Sequence, residues 1–311
     1  MMAFSNRIAV GAAALIGVAA WLLLVSPLLS AGGRTGRAQS SSSAPYFVGD
    51  ANLTGDLKPW QYFDSGGTHS VSRMPNGVTE PGVVRVVPDP LGQEGDVYQE
   101  TVTPTSRWSV GATDGDWTYL YNAYSRNFGI DGKADWIHFA VMFPGGGAYR
   151  NTRGEWNILF EAHPEADWPS ACQVAELTLT VIQYTGDRFP YLAFRVLGGD
   201  DACPLRASHW IYRKTPLRRN HWYDVLIHTV WSPDSHIGRV QWWLDGKLMY
   251  SAHVADLWQQ PNGSVDHPQF ELNNYRLHAS WPSTIYYGQA LLGPTRGSVA
   301  FRSVLATKSK R

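Results

Sequence analysis

WYDVLIHTVW, residues 222–231, and the following VQWWLDGKLM, residues 240–249, decide the reading of this chain. In the first segment Tyr223, Val225, Ile227 and Thr229 recur at every second position. Successive side chains of a strand point to opposite faces, so this spacing gives a strand one face for a core. In the second segment Val240, Trp242 and Leu244 alternate up to Asp245-Gly246, and Lys247, Leu248 and Met249 resume beyond it. Asp-Gly between two such runs predicts a tight hairpin, because both residues tolerate positive φ. The same signal spreads outward. Ile137, Phe139, Val141 and Phe143 share one face of the run 136–143. Leu177, Leu179 and Val181 alternate with Thr178 and Thr180, and 192–196 forms another short run. No stretch after residue 46 sustains a helical period. Many short strands between turns predict an all-β sandwich or jelly roll, with a barrel less favoured.

Composition narrows the function. The chain has 311 residues, with Lys+Arg and Asp+Glu both 26, so it carries no net charge. There is no global field to draw it onto nucleic acid, and polyanion binding must come from a local patch. Charged residues make up 17% and aromatics 13%, with 14 Trp, which suits a fold that buries rings or presents them to sugars. From Tyr46 onward no break or internal repeat divides the chain, so residues 46–311 are read as one domain, expected to be a monomer.

The N-terminal end differs. Ile8 to Val25 carries no charge, and Leu28 and Leu29 extend the run past Pro27. Residues 1–31 are therefore either a cleaved signal peptide or a membrane anchor, the run being long enough to cross a bilayer. Arg7 on one side and Arg34 and Arg37 on the other leave orientation open. Residues 32–45, with the serines Ser40 to Ser43, read as a flexible linker. Both readings place the domain outside the cell or at the outer face of its membrane, with membrane contact only through an uncleaved segment. Two cysteines, Cys172 and Cys203, fit an exported chain with a disulfide. Closing that loop would stabilise by roughly 3–4 kcal/mol on the chain-entropy model.

Further motifs carry a resemblance. They are Tyr46-Phe47-Val48-Gly49-Asp50, Gly55-Asp56-Leu57, Trp60, and Arg85 to Pro90 with Gly95. Asp135-Trp136 to Pro144, Trp156 to His163, His221 to Val225, Trp231-Ser232-Pro233-Asp234, Trp243 to Lys247 and Phe270 to Arg276 continue the series. Together they resemble polysaccharide lyases of the heparin lyase I type along nearly all of the chain after residue 45. The resemblance implies a concanavalin A-like jelly roll with a sugar-binding face.

It also implies a chemistry. Such lyases cut uronic-acid polymers by β-elimination, which needs a group to neutralise the carboxylate, a base for the C5 proton and an acid for the leaving oxygen. Jelly-roll lyases place a Gln and a His on one strand and a Tyr on another. His163 matches the His and Tyr275 the Tyr. Glu161 stands where the Gln is expected, two residues from His163 and on the same strand face. An ionised glutamate accepts but does not donate. Either Glu161 is protonated, or it pairs with an arginine, or the substrate lacks a carboxylate there, or lyase activity is lost. Arg126 is a candidate grip on a substrate carboxylate. Arg213, Lys214, Arg218 and Arg219, with Arg206 before them, form a basic stretch without an acid, suited to an anionic polysaccharide.

No cofactor is expected, with a structural calcium left open as an alternative. Related folds carry a structural calcium on a late-strand Asp, but the comparable position here is Gly288, and the histidines lack zinc-ligand spacing. Two other functions compete with the lyase. One is a non-catalytic carbohydrate-binding protein. The other is a glycoside hydrolase, for which Glu165-Ala166-Asp167 is the nearest acidic motif and for which a second carboxylate facing Glu161 would be needed.

Overall fold

In the computed structural model, the described residues are 44–60, 62–63, 83–104, 106–110, 113–116, 118–122, 127–151, 155–164, 174–200 and 209–301. They belong to a compact unit spanning residues 41–311. The N-terminal apolar segment, most of the linker, Arg126, Cys172, Cys203 and Arg206 lie outside them. No helix among the described residues is long and apolar enough to cross a membrane.

The elements follow in chain order. First come β1 (Phe47–Gly49), the short α1 (Ala51–Thr54), β2 (Tyr62–Phe63), β3 (Val83–Pro88), β4 (Asp96–Val102), β5 (Arg107–Val110), β6 (Thr113–Asp116) and β7 (Tyr119–Asn122). Then come β8 (Ala134–Met142), β9 (Glu155–His163), β10 (Leu177–Gln183), β11 (Tyr191–Val196), β12 (Gly199–Asp200) and β13 (His209–Pro216). The last are β14 (Trp222–Val230), β15 (Arg239–Leu244), β16 (Lys247–His253), β17 (Trp258–Gln259), β18 (Gln269–Leu277) and β19 (Ser283–Gly293).

Two antiparallel sheets form a sandwich of the jelly-roll type. The first runs β16-β15-β14-β8-β19-β4-β3, with β1 also on β19. The second runs β13-β11-β10-β9-β18-β6-β5, with β7 also on β18 and β2 on β7. A small parallel ribbon joins β12 to β17. Tyr223, Val225 and Ile227 of β14 enter the common core, as their alternation required. Asp245 and Gly246 both have positive φ, 50° and 73°, and Leu244 pairs Lys247 across a two-residue turn. The turn is also latched to β14: Asp245 N–H donates to the Asp224 carbonyl at 2.8 Å, and Asp224 N–H donates back to Asp245 Oδ1 at 3.0 Å.

The sheets interlock through rings. Phe139 of the first meets Phe160 of the second at 5.5 Å between centroids, and Trp242 stacks on Phe194 at 5.3 Å. A polar bridge crosses the same interior. The fully buried Tyr287 on β19 reaches the second sheet, where its hydroxyl lies 2.8 Å from the Leu159 carbonyl and 2.6 Å from that of Asn273. Its single proton is shared between them. Asn274, also fully buried, donates to the Ser283 carbonyl at 2.9 Å and to that of Glu100 at 3.2 Å.

Both carbonyls held by Tyr287 lie at a break in the ladder. On the β10 side of β9, Leu179 pairs Phe160 but Thr180 pairs Ile158, which leaves Leu159 as an extra residue. On the β18 side, Leu272 pairs Phe160 and Tyr275 pairs Ile158, so Asn273 and Asn274 together oppose Leu159. A bulge lets two neighbours share a face, and Leu159 and Phe160 both enter the core. Tyr287→Phe is expected to strand these carbonyls and cost about 1–3 kcal/mol, read as a lower urea midpoint with unchanged slope.

Candidate active site

The site is built on the face of the second sheet turned away from the core. Phe160 and Ala162 of β9 and Phe270 and Leu272 of β18 point inward. Glu161, His163, Glu271, Asn273 and Tyr275 alternate with them and share the opposite face. Strand register fixes their order. Glu161 lies opposite Glu271 on one side and Thr178 on the other, and Thr178 lies opposite Arg195. Arg195, Thr178, Glu161 and Glu271 therefore form a row across β11, β10, β9 and β18. The three residues singled out for catalysis thus come together. Arg276 turns inward, as its odd-even position relative to Tyr275 required, and its guanidinium donates to the Trp281 carbonyl.

Glu161 is not alone. Asn273 Nδ2 donates to Glu161 Oε2 at 3.1 Å and lies 3.4 Å from Glu271 Oε2, so one amide sits between two carboxyls. Both glutamates are only 7% exposed. Burial is the main force on each and pushes both pKa values up, Glu161 to about 7. The neighbouring Glu271 charge pushes Glu161 the same way, while His163 and Arg195 oppose the rise. Arg195 is held by donating to Thr178 Oγ1 at 3.0 Å. For Glu161, burial raises the proton affinity, and the Arg195 charge two strands away opposes that rise without forming an ion pair with it among the described residues.

His163 is half-buried, and its Nδ1 lies 2.9 Å from the Pro164 carbonyl. A carbonyl only accepts, so Nδ1 carries the proton and in the neutral ring Nε2 holds the lone pair. Burial opposes charging this ring, but the carboxylates of Glu271 and Glu161 and the Pro164 carbonyl outweigh it, and the net pKa rises. Tyr275 is also half-buried. Burial first, and the Glu161 charge second, push its phenol well above the usual range, so it stays protonated.

Glu271, Asn273 and Arg195 were not singled out from sequence. The signal was present for two of them, since Glu271 and Asn273 precede Tyr275 at two-residue steps along one strand. The basic stretch is divided. Arg213 and Lys214 lie in the edge strand β13. Arg218 Nη2 meets Asp245 Oδ2 at 2.5 Å and also contacts His221. Arg219 stacks over the Tyr149 ring at 4.4 Å. Among the described residues, no group of three or more His, Cys, Asp or Glu is arranged to hold a metal ion. At Gly288 a Cβ would come within 3.5 Å of Glu94 Oε2 and 3.1 Å of the Ala140 Cβ.

Comparison with known proteins agrees with this scaffold. The family model described as polysaccharide lyase matches residues 52–288, and the chain belongs to that family. No curated protein sequence matches it. Among solved structures it is similar to the endo-β-1,4-glucuronan lyase of the fungus Trichoderma reesei, with TM-score 0.53 and 13% identity over 76% of this chain and 96% of that one. It is also similar to the alginate lyase Aly36B, with TM-score 0.50 and 12% identity over 80% of this chain and 97% of the other. At such identities the likeness is one of fold.

The site should leave a mark on stability. The folded-state pKa values of Glu161, Glu271 and His163 are all raised, so each favours folding at low pH and loses that contribution as pH rises through its folded value. Glu161→Gln removes the Glu161 share. Its melting temperature is expected to exceed that of the parent by several degrees at pH 8, with the gap closing near pH 4, as measured by calorimetry across that range.

Proposed function

We propose that the protein is a lyase of the heparin lyase I type that cleaves an anionic, uronic-acid-containing polysaccharide by β-elimination, acting outside the cell or tethered at its surface. The observation that carries this reading is the convergence of Glu161, His163 and Tyr275 on one outer sheet face, with His163 Nε2 left as the lone-pair nitrogen.

The roles follow from the electrostatics. A protonated Glu161 does what a neutral amide would do: its O–H donates to the uronate carboxylate and stabilises the charge that spreads onto it. His163 Nε2 takes the C5 proton. The electrons of the C5–H bond form the C4=C5 double bond, the C4–O4 bond breaks, and the Tyr275 hydroxyl gives its proton to O4. The imidazolium then returns a proton to the phenolate. Glu161 in its neutral form also removes the charge that opposes a Tyr275 phenolate. The competent state has one proton on Glu161 and none on His163 Nε2. Its tautomer has the proton on His163, with the same net charge, so the two groups titrate as a pair.

Glucuronan, alginate and heparin are the substrates to test, with the absorbance of the new double bond as readout. His163→Ala and Tyr275→Phe are expected to reduce kcat/KM by about 10²–10⁴-fold. Glu161→Gln keeps activity and extends it to higher pH, because the amide cannot ionise. Absence of absorbance on every polyuronate, with binding intact, would mean a binding protein instead.

One observation favours a second reading. Glu161 and Glu271 face each other in register on adjacent strands, where opposed Cβ atoms lie about 4.5–5.5 Å apart. Paired carboxyls at short range are what a retaining glycoside hydrolase uses. That reading predicts new reducing ends without ultraviolet absorbance, abolished by Glu271→Gln.

A further inference from the structure

A cavity lies away from this site, at one end of the sandwich. It is an open depression of about 340 Å³ lined by Tyr149, Arg150, Gln183, Pro190, Arg219 and Trp281, among others. Its walls come from both sheets. Gln183 ends β10 and Pro190 precedes β11, while Tyr149 and Arg150 follow β8, Arg219 precedes β14 and Trp281 precedes β19. Gln183 is five residues along β10 from Thr178, the partner of Glu161, which puts the cavity roughly 16 Å along the strand from the active-site row.

The charged groups that line it, Arg150 and Arg219, are both cations, beside the amides of Asn151 and Gln183. Two buried donors among its lining residues, Arg219 Nη1 and Trp281 Nε1, have no hydrogen-bond partner among the described residues. An unpaired buried donor is destabilising, and a ligand acceptor that reached it would remove that cost. Arg150 adds an exposed guanidinium, and among the described residues neither arginine meets a carboxylate. Burial lowers the Arg219 pKa, opposed only by the Tyr149 and Tyr223 phenols. The Gln183 amide is engaged, donating to the Asp187 carbonyl at 3.3 Å, and the Tyr149 hydroxyl accepts from Asn157 at 3.2 Å. No acid lines the cavity, and the volume suits a single sugar ring rather than a bare ion.

We propose that this cavity is a second binding site for an acidic pyranose, one bearing a carboxylate or a sulfate, held by Arg219, Arg150 and the Trp281 indole N–H. The site lies at the mouth between the two sheets and not on the catalytic face. It does not depend on the lyase reading: a chain with no lyase activity would still carry it. In a polymer-degrading protein, such a site would hold a chain end or a released product.

Calorimetric titration of the full chain with D-glucuronate at low ionic strength tests it, with D-glucose and inorganic sulfate as comparison ligands. Glucuronate is expected to bind, glucose to bind at least tenfold more weakly, and sulfate to compete. Arg150→Gln, an exposed change that leaves the core untouched, and Arg219→Gln should each weaken glucuronate binding at least fivefold. Trp281→Phe should weaken it about twofold, and His163→Ala should leave it unchanged. Equal binding of glucose, or glucuronate binding that survives both arginine changes, overturns the proposal. So does binding lost in His163→Ala alone, which would place the ligand on the catalytic face. Absence of glucuronate binding to the parent overturns it as well.

Discussion

The hydroxyl of Tyr287 is the contact on which the geometry of the second sheet turns. It comes from the centre of the first sheet and meets the carbonyls of Leu159 and Asn273, where the ladders on both sides of β9 lose register. A slip of one residue on a strand sends every later side chain to the other face. At this point β9 carries an irregularity toward β10, and β18 carries an extra residue toward β9. Glu161 pairs Glu271, and Tyr275 follows Glu271 by four residues on the same strand, so Glu161 and Tyr275 share a face although they lie on opposite sides of the break. A phenol in the core is therefore bonded to the break across which Glu161 and Tyr275 keep one outer face.

Burial is the second constraint, and it acts on charge. The row Arg195, Thr178, Glu161 and Glu271 places one cation and two carboxyls on neighbouring strands with little water. Coulomb attraction alone would ionise Glu161, because both Arg195 and His163 favour its anion. Desolvation and the facing Glu271 outweigh them, and the net direction is toward the proton. Glu161 can then be a neutral carboxyl that donates a hydrogen bond when its surroundings are dry and acidic enough. The Asn273 amide between the two carboxyls relieves their repulsion without adding charge.

Much of this was legible in the residues. The alternation at 222–231 and 240–249 carried the strands, Asp245-Gly246 carried its turn, and the spacing of Glu161 and His163 carried their shared face. These are local patterns, and a strand's period of two leaves little freedom. What could not be read was set across strands. No spacing along the chain tells that Glu161 faces Glu271, or that Arg195 stands one strand beyond Thr178. The basic stretch makes the same point. Arg218 and Arg219 are neighbours with the same charge, yet one is drawn to the Asp245 turn and the other lies on Tyr149 at a cavity mouth. Their difference arises from which way adjacent side chains leave a short connection, and nothing in their identity encodes it.

The hairpin at Asp245-Gly246 limits where this chain can take up extra residues. Its aspartate serves the turn through backbone dihedrals, the start of β14 through paired contacts with Asp224, and the preceding connection through Arg218 and His221. Lengthening the loop by even one residue would break all three attachments together. An insertion in this corner would therefore disturb three attachments of this chain at once, where one in a connection with fewer contacts would disturb less.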